Sequence, residues 1–317
     1  MFTTKPLSDA GGVIVEGIDL SKPLADQEAA ALREAFDREG LLVLKGQSLT
    51  KQTLVDATYV FGEPEIHPLV NSIDREHPEL LVISTHGRDG DVAPEDPDEL
   101  IGRIEWHTDL AYTPTPNRGG LLYGVILPEK GGLTGFVDRQ RTYDALPEAT
   151  KRRIEGLHVV QSWRYAQEGI AKNPSFRTDE GAKMLELDRF PDLAHPLVYT
   201  HPVNGRKVLN VPPMWSSAIV ELPEAEGRKL LDELIAHSLE DRFVYWHRYD
   251  PGDLAIWDNW RMMHAASGTP GAYRRLMYRT TVAGGHVFGA PLDPEEMAAA
   301  QARVAAANLD ALHDVRA

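Results

Sequence analysis

The sequence predicts a mainly β fold, a sandwich or barrel decorated by a few helices. From about residue 79 onward, short apolar or alternating runs recur, and most are bounded by Pro, Gly, Asn or Asp, which terminate strands. Helical patterns interrupt these runs at only two places, so the chain lacks the regular strand–helix alternation of a parallel α/β sheet. The 317 residues, 42% of them hydrophobic, suffice for one large domain.

The N-terminal part combines strands with two helices. Leu32 and Phe36 are four positions apart, which predicts a helix with one buried face over 26–39. Gly40 follows and can adopt the left-handed conformation that ends a helix. The continuous apolar run 41–44 is typical of a buried strand. The sequence also predicts an edge strand at 13–20 and a second helix at about 50–61.

The remaining elements follow the same logic. Pro223 suits a first helical turn, and Leu230, Leu231 and Leu234 share one face of the helix that follows it. The sequence predicts strands at 80–83, 120–126, 157–160, 197–199, 208–211, 243–246, 253–257 and 276–282, and helices at 140–154 and 224–237. A single domain over 1–317 is expected, with a helical insert at about 139–195 and an Ala-rich C-terminal helix at about 294–312.

Composition excludes several classes of function. The net charge of −15 disfavours nucleic acid, whose phosphates are bound by clustered Lys and Arg. The absence of cysteine excludes disulfides, thiolate metal sites and cysteine nucleophiles. No segment approaches the roughly 18 apolar residues that a membrane span requires, and no secretory signal follows Met1. A cytoplasmic protein without membrane partners is therefore expected.

Histidines next to acidic residues suggest a metal site. The chain contains two His-x-acid triplets, beginning at His77 and His107, and about two are expected by chance from its composition. Residues i and i+2 of a strand point to the same side, so His107 and Asp109 could reach one ion. His77 lies in a charged run typical of an exposed turn. A third ligand is needed, and His264 is the candidate, although a histidine in such a position is by itself more often a core residue bonded to a backbone carbonyl.

The run Tyr273–Thr281 carries two arginines on one face of a predicted strand. Arg275 and Arg279 alternate with apolar positions, so both point to the same side. Such a face either lies in solvent or, in a closed interior, requires bound anions. Guanidinium groups bind carboxylates and sulfonates in a bidentate manner, so each arginine is also a candidate anion clamp.

Taken together, these motifs resemble the TauD/TfdA family of Fe(II)/2-oxoglutarate-dependent dioxygenases. The similarity rests on EWHTD around His107, AIWDNWRMMHAAS around His264 and YRRLMYRTT around Arg275, in that order along the chain. It runs from about residue 13 to 282 and includes FGEPEIHP, LPEKGGLTGFVD and THPVNGRKVL. The resemblance implies a double-stranded β-helix, or jelly roll, of the cupin-like kind.

The resemblance also implies the roles of individual residues. His107, Asp109 and His264 would bind Fe(II) as a 2-His-1-carboxylate triad, which leaves positions free for 2-oxoglutarate and O2. Trp257, Asp258 and Asn259 are expected to support the strand of His264, with Asp258 as a candidate acceptor for a ligand histidine. The other implied roles are co-substrate binding by Thr134 and Arg275 and substrate binding by Arg279 and His67.

The expected reaction is hydroxylation of a C–H bond in a small anionic substrate, with possible fragmentation next to a heteroatom. Arg103 and Val70 depart from the taurine dioxygenase pattern, and Trp163 falls where the family places an aromatic wall. Together they predict a bulkier, more apolar pocket for a carboxylate or sulfonate, although each residue has a structural alternative. A non-catalytic anion-binding jelly roll, or a metal-dependent hydrolase or isomerase on a cupin-like fold, stays open as an alternative. The family resemblance further predicts a homodimer or homotetramer.

Overall fold

The computed structural model describes residues 2–67, 73–87, 94–166, 190–293 and 295. Val70, residues 167–189 of the predicted insert, and nearly all of the predicted C-terminal helix at 294–312 lie outside the described residues. No helix of the described residues is both long and apolar enough to cross a membrane.

We number the strands and α-helices in chain order. The strands are β1 Thr3–Ser8, β2 Gly11–Glu16, β3 Leu41–Leu44, β4 Leu80–Ser84, β5 Leu100–His107, β6 Gly119–Ile126, β7 Thr134–Asp138, β8 His158–Gln161, β9 Leu193–Pro196, β10 Val198–Thr200, β11 Lys207–Leu209, β12 Ser216–Ile219, β13 Val244–His247, β14 Leu254–Asp258, β15 Met262–Pro270, β16 Leu276–Val282 and β17 Ala290–Pro291. The helices are α1 Asp26–Glu39, α2 Lys51–Thr58, α3 Arg139–Asp144, α4 Glu148–Ile154 and α5 Glu224–Ser238, with a short 3-10 turn at Asp241–Phe243.

Two sheets face each other and form the body of the molecule. The major sheet has seven strands in the order β1-β2-β3-β14-β6-β16-β4, and the minor sheet has four in the order β13-β7-β15-β5. Within the described part of the two sheets, β2 and β3 pair in parallel and all other neighbouring strands pair antiparallel. Side chains from both sheets, including Leu122, Phe136, Trp257 and Met277, pack in one apolar cluster between them. The predicted jelly roll is therefore confirmed.

The outer face of the major sheet is covered by α1 and α2. Leu32 and Phe36 of α1 and Leu54 of α2 pack there against apolar residues of β3 and β14. All four residues of β3 are buried because one side of this strand faces the helices and the other faces the minor sheet. This burial on both faces explains the continuous apolar run in the sequence.

A second, smaller layer of strands and helices packs beside the sandwich. It contains a four-stranded sheet in the order β12-β8-β9-β17 and the hairpin of β10 and β11. Leu230, Leu231 and Leu234 of α5 pack against this sheet together with Ile154 at the end of α4. The predicted apolar stripe of α5 is thus its buried face.

Four predicted elements differ from the structure by more than a shift of one or two residues at an end. The strand predicted at the edge over 13–20 is β2, which pairs with β1 and β3 and is therefore not at the edge. It ends at Glu16. The helix predicted at 50–61 ends at Thr58. The helix predicted at 140–154 is split into α3 and α4, because Pro147 lacks the N–H that a continuous helix would need. The described part of the insert at 139–195 contains β8 and part of β9 as well as these helices, so it is only partly helical.

Candidate active site

The structure brings His107, Asp109 and His264 together. His107 ends β5, and His264 lies directly opposite it on the neighbouring strand β15. Asp109 follows in the loop, with its oxygens 3.6 Å from His107 Nε2 and 3.5 Å from His264 Nε2. One ligand atom from each residue lies within 4.8 Å of the others, and no other described residues form such a group. Two imidazoles and one carboxylate are donors that suit a divalent transition metal.

Hydrogen bonding and burial orient both imidazoles toward a metal. The Nδ1 of His107 lies 2.7 Å from the Glu105 carbonyl oxygen and donates its proton to that oxygen. The Nε2 atom then carries the lone pair, on the side of the ring that faces Asp109. Both ring nitrogens of His264 are buried and have no hydrogen-bond partner among the described residues. Burial, together with the neighbouring His107, lowers the pKa of His264 to about 4, so its imidazole is neutral and able to bind a metal.

The loop that carries Asp109 is fixed by Asn259. The side-chain oxygen of Asn259 accepts from the Asp109 backbone N–H at 2.8 Å, and its amide nitrogen donates to the Asp109 carbonyl at 3.0 Å. Leu110 follows Asp109 and has φ = 54°, a strained backbone conformation for a leucine. Such a conformation persists where the surrounding contacts hold the backbone in place. The loop is therefore held by residues that lie far from it in the sequence.

Asp258 does not contact a ligand histidine, so that expectation was wrong. Its carboxylate accepts from His201 Nε2 at 2.9 Å and pairs with Arg118. The alternation along β14 and the turn after it directs Asp258 away from His264, while Asn259 points to the ligand loop. The supporting role predicted for this run thus falls on Asn259.

Arg279 of the major sheet reaches across to the minor sheet. Its guanidinium pairs with the Asp109 carboxylate and lies 5.2 Å from the centre of the Trp257 ring. Burial alone would raise the pKa of Asp109, but Arg279 and the two ligand histidines outweigh it and hold that pKa well below its usual range. Asp109 is therefore a carboxylate, the form that binds metals.

Arg275 directly precedes β16 and lies four residues before Arg279, so strand alternation places the two arginines on the same face. It is partly buried. Its Nε has no hydrogen-bond partner, and no carboxylate of the described residues forms an ion pair with its guanidinium. Its side chain passes over Gly132, where an added Cβ would lie 3.2 Å from the Arg275 Nε. Thr134, buried at the start of β7, follows Gly132 by two residues. An uncompensated guanidinium in such a place favours an anionic ligand.

His67 and Glu65 lie at the other end of this face. Burial and the positive charge of Arg279 lower the pKa of His67 to about 4, which places a neutral imidazole near Arg279. Glu65 lies opposite Thr281 of β16, because Pro64 bridges to Val282 and the Glu65 N–H donates to the Thr281 carbonyl at 2.8 Å. Burial raises the pKa of Glu65 to about 7, and the charge of Asp109 adds to this.

Arg103, Trp163 and Val70, the residues predicted to line the substrate pocket, do not share one environment. Arg103 is exposed on β5, four residues before His107. Trp163 is buried in an aromatic cluster with Tyr112, Phe190 and Trp215, and Tyr112 belongs to the loop after Asp109. Val70 lies outside the described residues. Their contact with substrate stays a prediction.

Sequence reasoning missed Glu65 and Tyr249. Glu65 occurs in the FGEPEIHP motif, two residues before His67, so strand periodicity could have placed both side chains on one side. Tyr249 has a buried hydroxyl that interacts with the Thr134 hydroxyl, and the charge of Arg275 acts to lower its pKa. No local pattern distinguishes Tyr249 from an ordinary core tyrosine.

Comparison with known proteins gives one consistent answer. Residues 3–281 match the model of the family described as "Taurine catabolism dioxygenase TauD, TfdA family". A 2,4-dichlorophenoxyacetate dioxygenase of Cupriavidus pinatubonensis, described as alpha-ketoglutarate-dependent, is 34% identical over 283 residues, covering 87% of this chain and 94% of that protein.

Solved structures agree with the sequence comparisons. A taurine dioxygenase from Burkholderia xenovorans superposes with a TM-score of 0.74 at 27% identity, covering 96% of this chain and 99% of the other. AAD-2, solved with Mn(II) and N-oxalylglycine, has a TM-score of 0.73 at 30% identity, covering 91% and 99%. The chain therefore belongs to the TauD/TfdA family and is a 2-oxoglutarate-dependent dioxygenase.

Proposed function

We propose that this enzyme uses Fe(II), 2-oxoglutarate and O2 to hydroxylate a C–H bond of a small organic substrate that carries a carboxylate or sulfonate. The observation that carries the proposal is the His107, Asp109 and His264 cluster, with ligand atoms within 4.8 Å of one another, facing two arginines of the opposite sheet. Hydroxylation next to a heteroatom would give an unstable product, so the net reaction can be cleavage.

The three clustered side chains would hold the iron. Neutral imidazoles and an ionised carboxylate are the required protonation states, and the pKa values of His264 and Asp109 favour them. When bound, the metal supplies the activation of O2 and the oxidative decarboxylation of 2-oxoglutarate to succinate and CO2. The protein supplies metal geometry, anion binding and a closed pocket, and no side chain has to act as a general acid or base.

Arg275 and Thr134 would bind the distal carboxylate of 2-oxoglutarate. The Arg275 guanidinium lacks a carboxylate partner within the described part of the chain, and a bidentate pair with the co-substrate would compensate its charge. The buried Thr134 adds a hydroxyl donor on the opposite sheet. These contacts would fix the orientation of the co-substrate relative to the three metal ligands.

Arg279 would bind the anionic group of the primary substrate, assisted by His67. Because Arg279 contacts Asp109, an anion bound there would lie beside the metal. The Trp257 ring under the guanidinium restricts its orientation. The related 2,4-dichlorophenoxyacetate dioxygenase and taurine dioxygenase also act on small acids according to their names. Arg103, Val70 and Trp163 remain proposed as further lining residues.

We also propose a single dioxygenase domain over 1–317 that works in the cytoplasm as a homodimer or homotetramer. The family match over 3–281 supports one domain, and the cysteine-free, acidic composition suits a reducing compartment. Light scattering of the purified protein would measure the oligomeric state.

Binding experiments without oxygen test the metal assignment directly. Fe(II) titrated by calorimetry into the wild-type protein should bind at one site, and addition of 2-oxoglutarate should give a weak visible charge-transfer band. His107→Ala and Asp109→Ala should lose both, whereas His158→Ala, which alters an exposed histidine paired with Glu221, should retain both. Unchanged Fe(II) affinity in His107→Ala would contradict the proposed triad.

Co-substrate dependence tests the rest of the proposal. In air, the enzyme should release succinate only with Fe(II) and 2-oxoglutarate present. Arg275→Ala should weaken 2-oxoglutarate binding by about 10-fold or more, the usual range for a charged hydrogen-bonded pair. Arg274→Ala, which alters the exposed neighbour, is the matched control and should bind 2-oxoglutarate normally.

A further inference from the structure

Tyr249 lies between the two sheets, near the residues proposed to bind the co-substrate. It follows β13 by two residues and packs in the same apolar cluster as Phe136 and Met277. His247 in β13 lies directly opposite Thr134 of β7. The Tyr249 side chain therefore reaches the interior at the end of the minor sheet where Thr134 begins its strand.

The hydroxyl of Tyr249 is buried and makes no hydrogen bond of ordinary length with the described residues, although the Thr134 hydroxyl is close enough to interact with it. Thr134 and Arg275 are its polar neighbours, and both act to lower its pKa, but burial dominates and raises the pKa of Tyr249 to about 12. The phenol thus keeps its proton at any working pH. A buried phenol O–H near a guanidinium cannot donate to that cation, so its natural partner is an acceptor placed between them.

The ring of Tyr249 is held in place by a polar network. It packs edge-on against the His247 ring, with centroids 4.5 Å apart. His247 is fixed in turn by the Tyr245 hydroxyl at 2.9 Å from Nδ1 and by the Asp253 carboxylate at 3.2 Å from Nε2. These contacts restrict the ring of Tyr249 and thereby fix the position of its hydroxyl.

Arg275, Thr134 and Tyr249 together form a set of donors, and no carboxylate of the described residues pairs with Arg275 or with the Tyr249 hydroxyl. A carboxylate accepts about four hydrogen bonds through its two oxygens. The guanidinium fork and two hydroxyls can supply that number. Neutral water would satisfy the hydroxyls but would leave the charge of Arg275 uncompensated.

We propose that Tyr249 donates a hydrogen bond to the distal carboxylate of 2-oxoglutarate, beside Arg275 and Thr134. The inference rests on the proposed function, because it takes 2-oxoglutarate as the ligand of Arg275. It adds a third side chain to the co-substrate pocket and makes Tyr249 a determinant of selectivity for a 2-oxo acid with a second carboxylate. The hydroxyl costs stability in the free protein and is satisfied by the co-substrate.

Tyr249→Phe tests this by removing the hydroxyl alone. With Fe(II) bound and oxygen excluded, 2-oxoglutarate should bind about 3- to 10-fold more weakly to the variant than to wild type, the effect of one lost hydrogen bond. 2-Oxobutyrate, which lacks the distal carboxylate, should bind both proteins equally. Equal weakening for both ligands would show a general distortion, and no weakening for 2-oxoglutarate would show that the hydroxyl makes no contact; either result overturns the proposal.

Two further measurements separate this contact from a purely structural role. Tyr123→Phe removes another buried hydroxyl, one that donates to the Gln47 carbonyl at 3.1 Å on the outer side of the major sheet, and should leave 2-oxoglutarate affinity unchanged. The thermal midpoint of Tyr249→Phe should equal or exceed that of wild type. A reduced midpoint with unchanged affinity would assign Tyr249 to packing only. If Arg275→Ala also left 2-oxoglutarate affinity unchanged, the proposed function itself would fail.

Discussion

The guanidinium of Arg279 pairs with the carboxylate of Asp109, 170 residues earlier in the chain. Arg279 belongs to the major sheet, and Asp109 follows the edge strand of the minor sheet. The pair therefore joins the two sheets at the point where the metal ligands converge. It also places the proposed substrate clamp in contact with a proposed metal ligand.

Arg279→Ala should abolish use of the primary substrate while leaving 2-oxoglutarate turnover without substrate measurable. The physical reason is that the substrate loses its anion clamp, whereas Arg275 still binds the co-substrate. Succinate release with and without substrate measures the two activities, and Arg274→Ala is the matched control. Equal loss of both activities would contradict separate roles for the two arginines.

Gly132→Ala should weaken 2-oxoglutarate binding in addition to lowering stability. Gly132 has φ = 69°, and a Cβ there would lie 2.6 Å from Pro128 and 3.2 Å from the Arg275 side chain, which must shift. Gly205 has φ = 72° with nothing within 4 Å of an added Cβ. Gly205→Ala should therefore cost about 1 kcal/mol of backbone strain alone. Similar co-substrate affinities in the two variants would mean that the Gly132 contact is irrelevant to Arg275.

Asn259→Ala should weaken Fe(II) binding by about 10- to 100-fold, as is usual for residues that orient metal ligands. The side chain of Asn259 holds both backbone polar groups of Asp109, and its loss frees the loop. Calorimetric titration with Fe(II) measures the effect. Asn204→Ala removes an amide bonded to Gln140 away from the site and should leave the affinity for Fe(II) unchanged.

The metal-free protein should lose stability as the pH falls from 6.5 toward 4. Burial lowers the pKa of His195 to about 4, and the same holds for His67 and His264, so the unfolded chain takes up protons that the folded one excludes. Each such histidine costs up to about 1.4 kcal/mol per pH unit in this window. Above about pH 6.5 these histidines are neutral in both states, so the folded protein keeps its full stability there.

Urea unfolding at several pH values measures this dependence. His195→Gln should make it shallower, because one group that protonates only on unfolding is gone. Glu65 acts in the opposite direction: its pKa is raised to about 7, so its burial favours the folded state at low pH. Glu65→Gln should therefore make the loss on acidification steeper. An unchanged slope in His195→Gln would show that His195 takes up protons equally in the folded and unfolded protein, so that folding does not lower its pKa.

Local patterns predicted much of this molecule. The helix at Asp26–Glu39 and the strand at Leu41–Leu44 were predicted with their observed bounds, because an apolar stripe, a terminal glycine and a continuous apolar run are properties of neighbouring residues. The split between α3 and α4 was not predicted, because the helical pattern continues on both sides of Pro147, where the helix breaks.

The candidate site was predictable only in part. His107 and Asp109 are two residues apart, so strand geometry pairs them, and strand alternation places Arg275 and Arg279 on one face. The resemblance to a known family supplied the roles of these residues and of His264. The sequence by itself determined these residue types, their order and the strands that carry them. Only the tertiary structure decided that Arg279 contacts Asp109 and that Asn259 and not Asp258 holds the loop of Asp109. It also decided that the charge of Arg275 acts on the buried Tyr249 and the charge of Asp109 on the buried Glu65. The reason is physical: side-chain direction follows from local backbone geometry, whereas contacts between sheets depend on long-range strand pairing that no short stretch of sequence encodes.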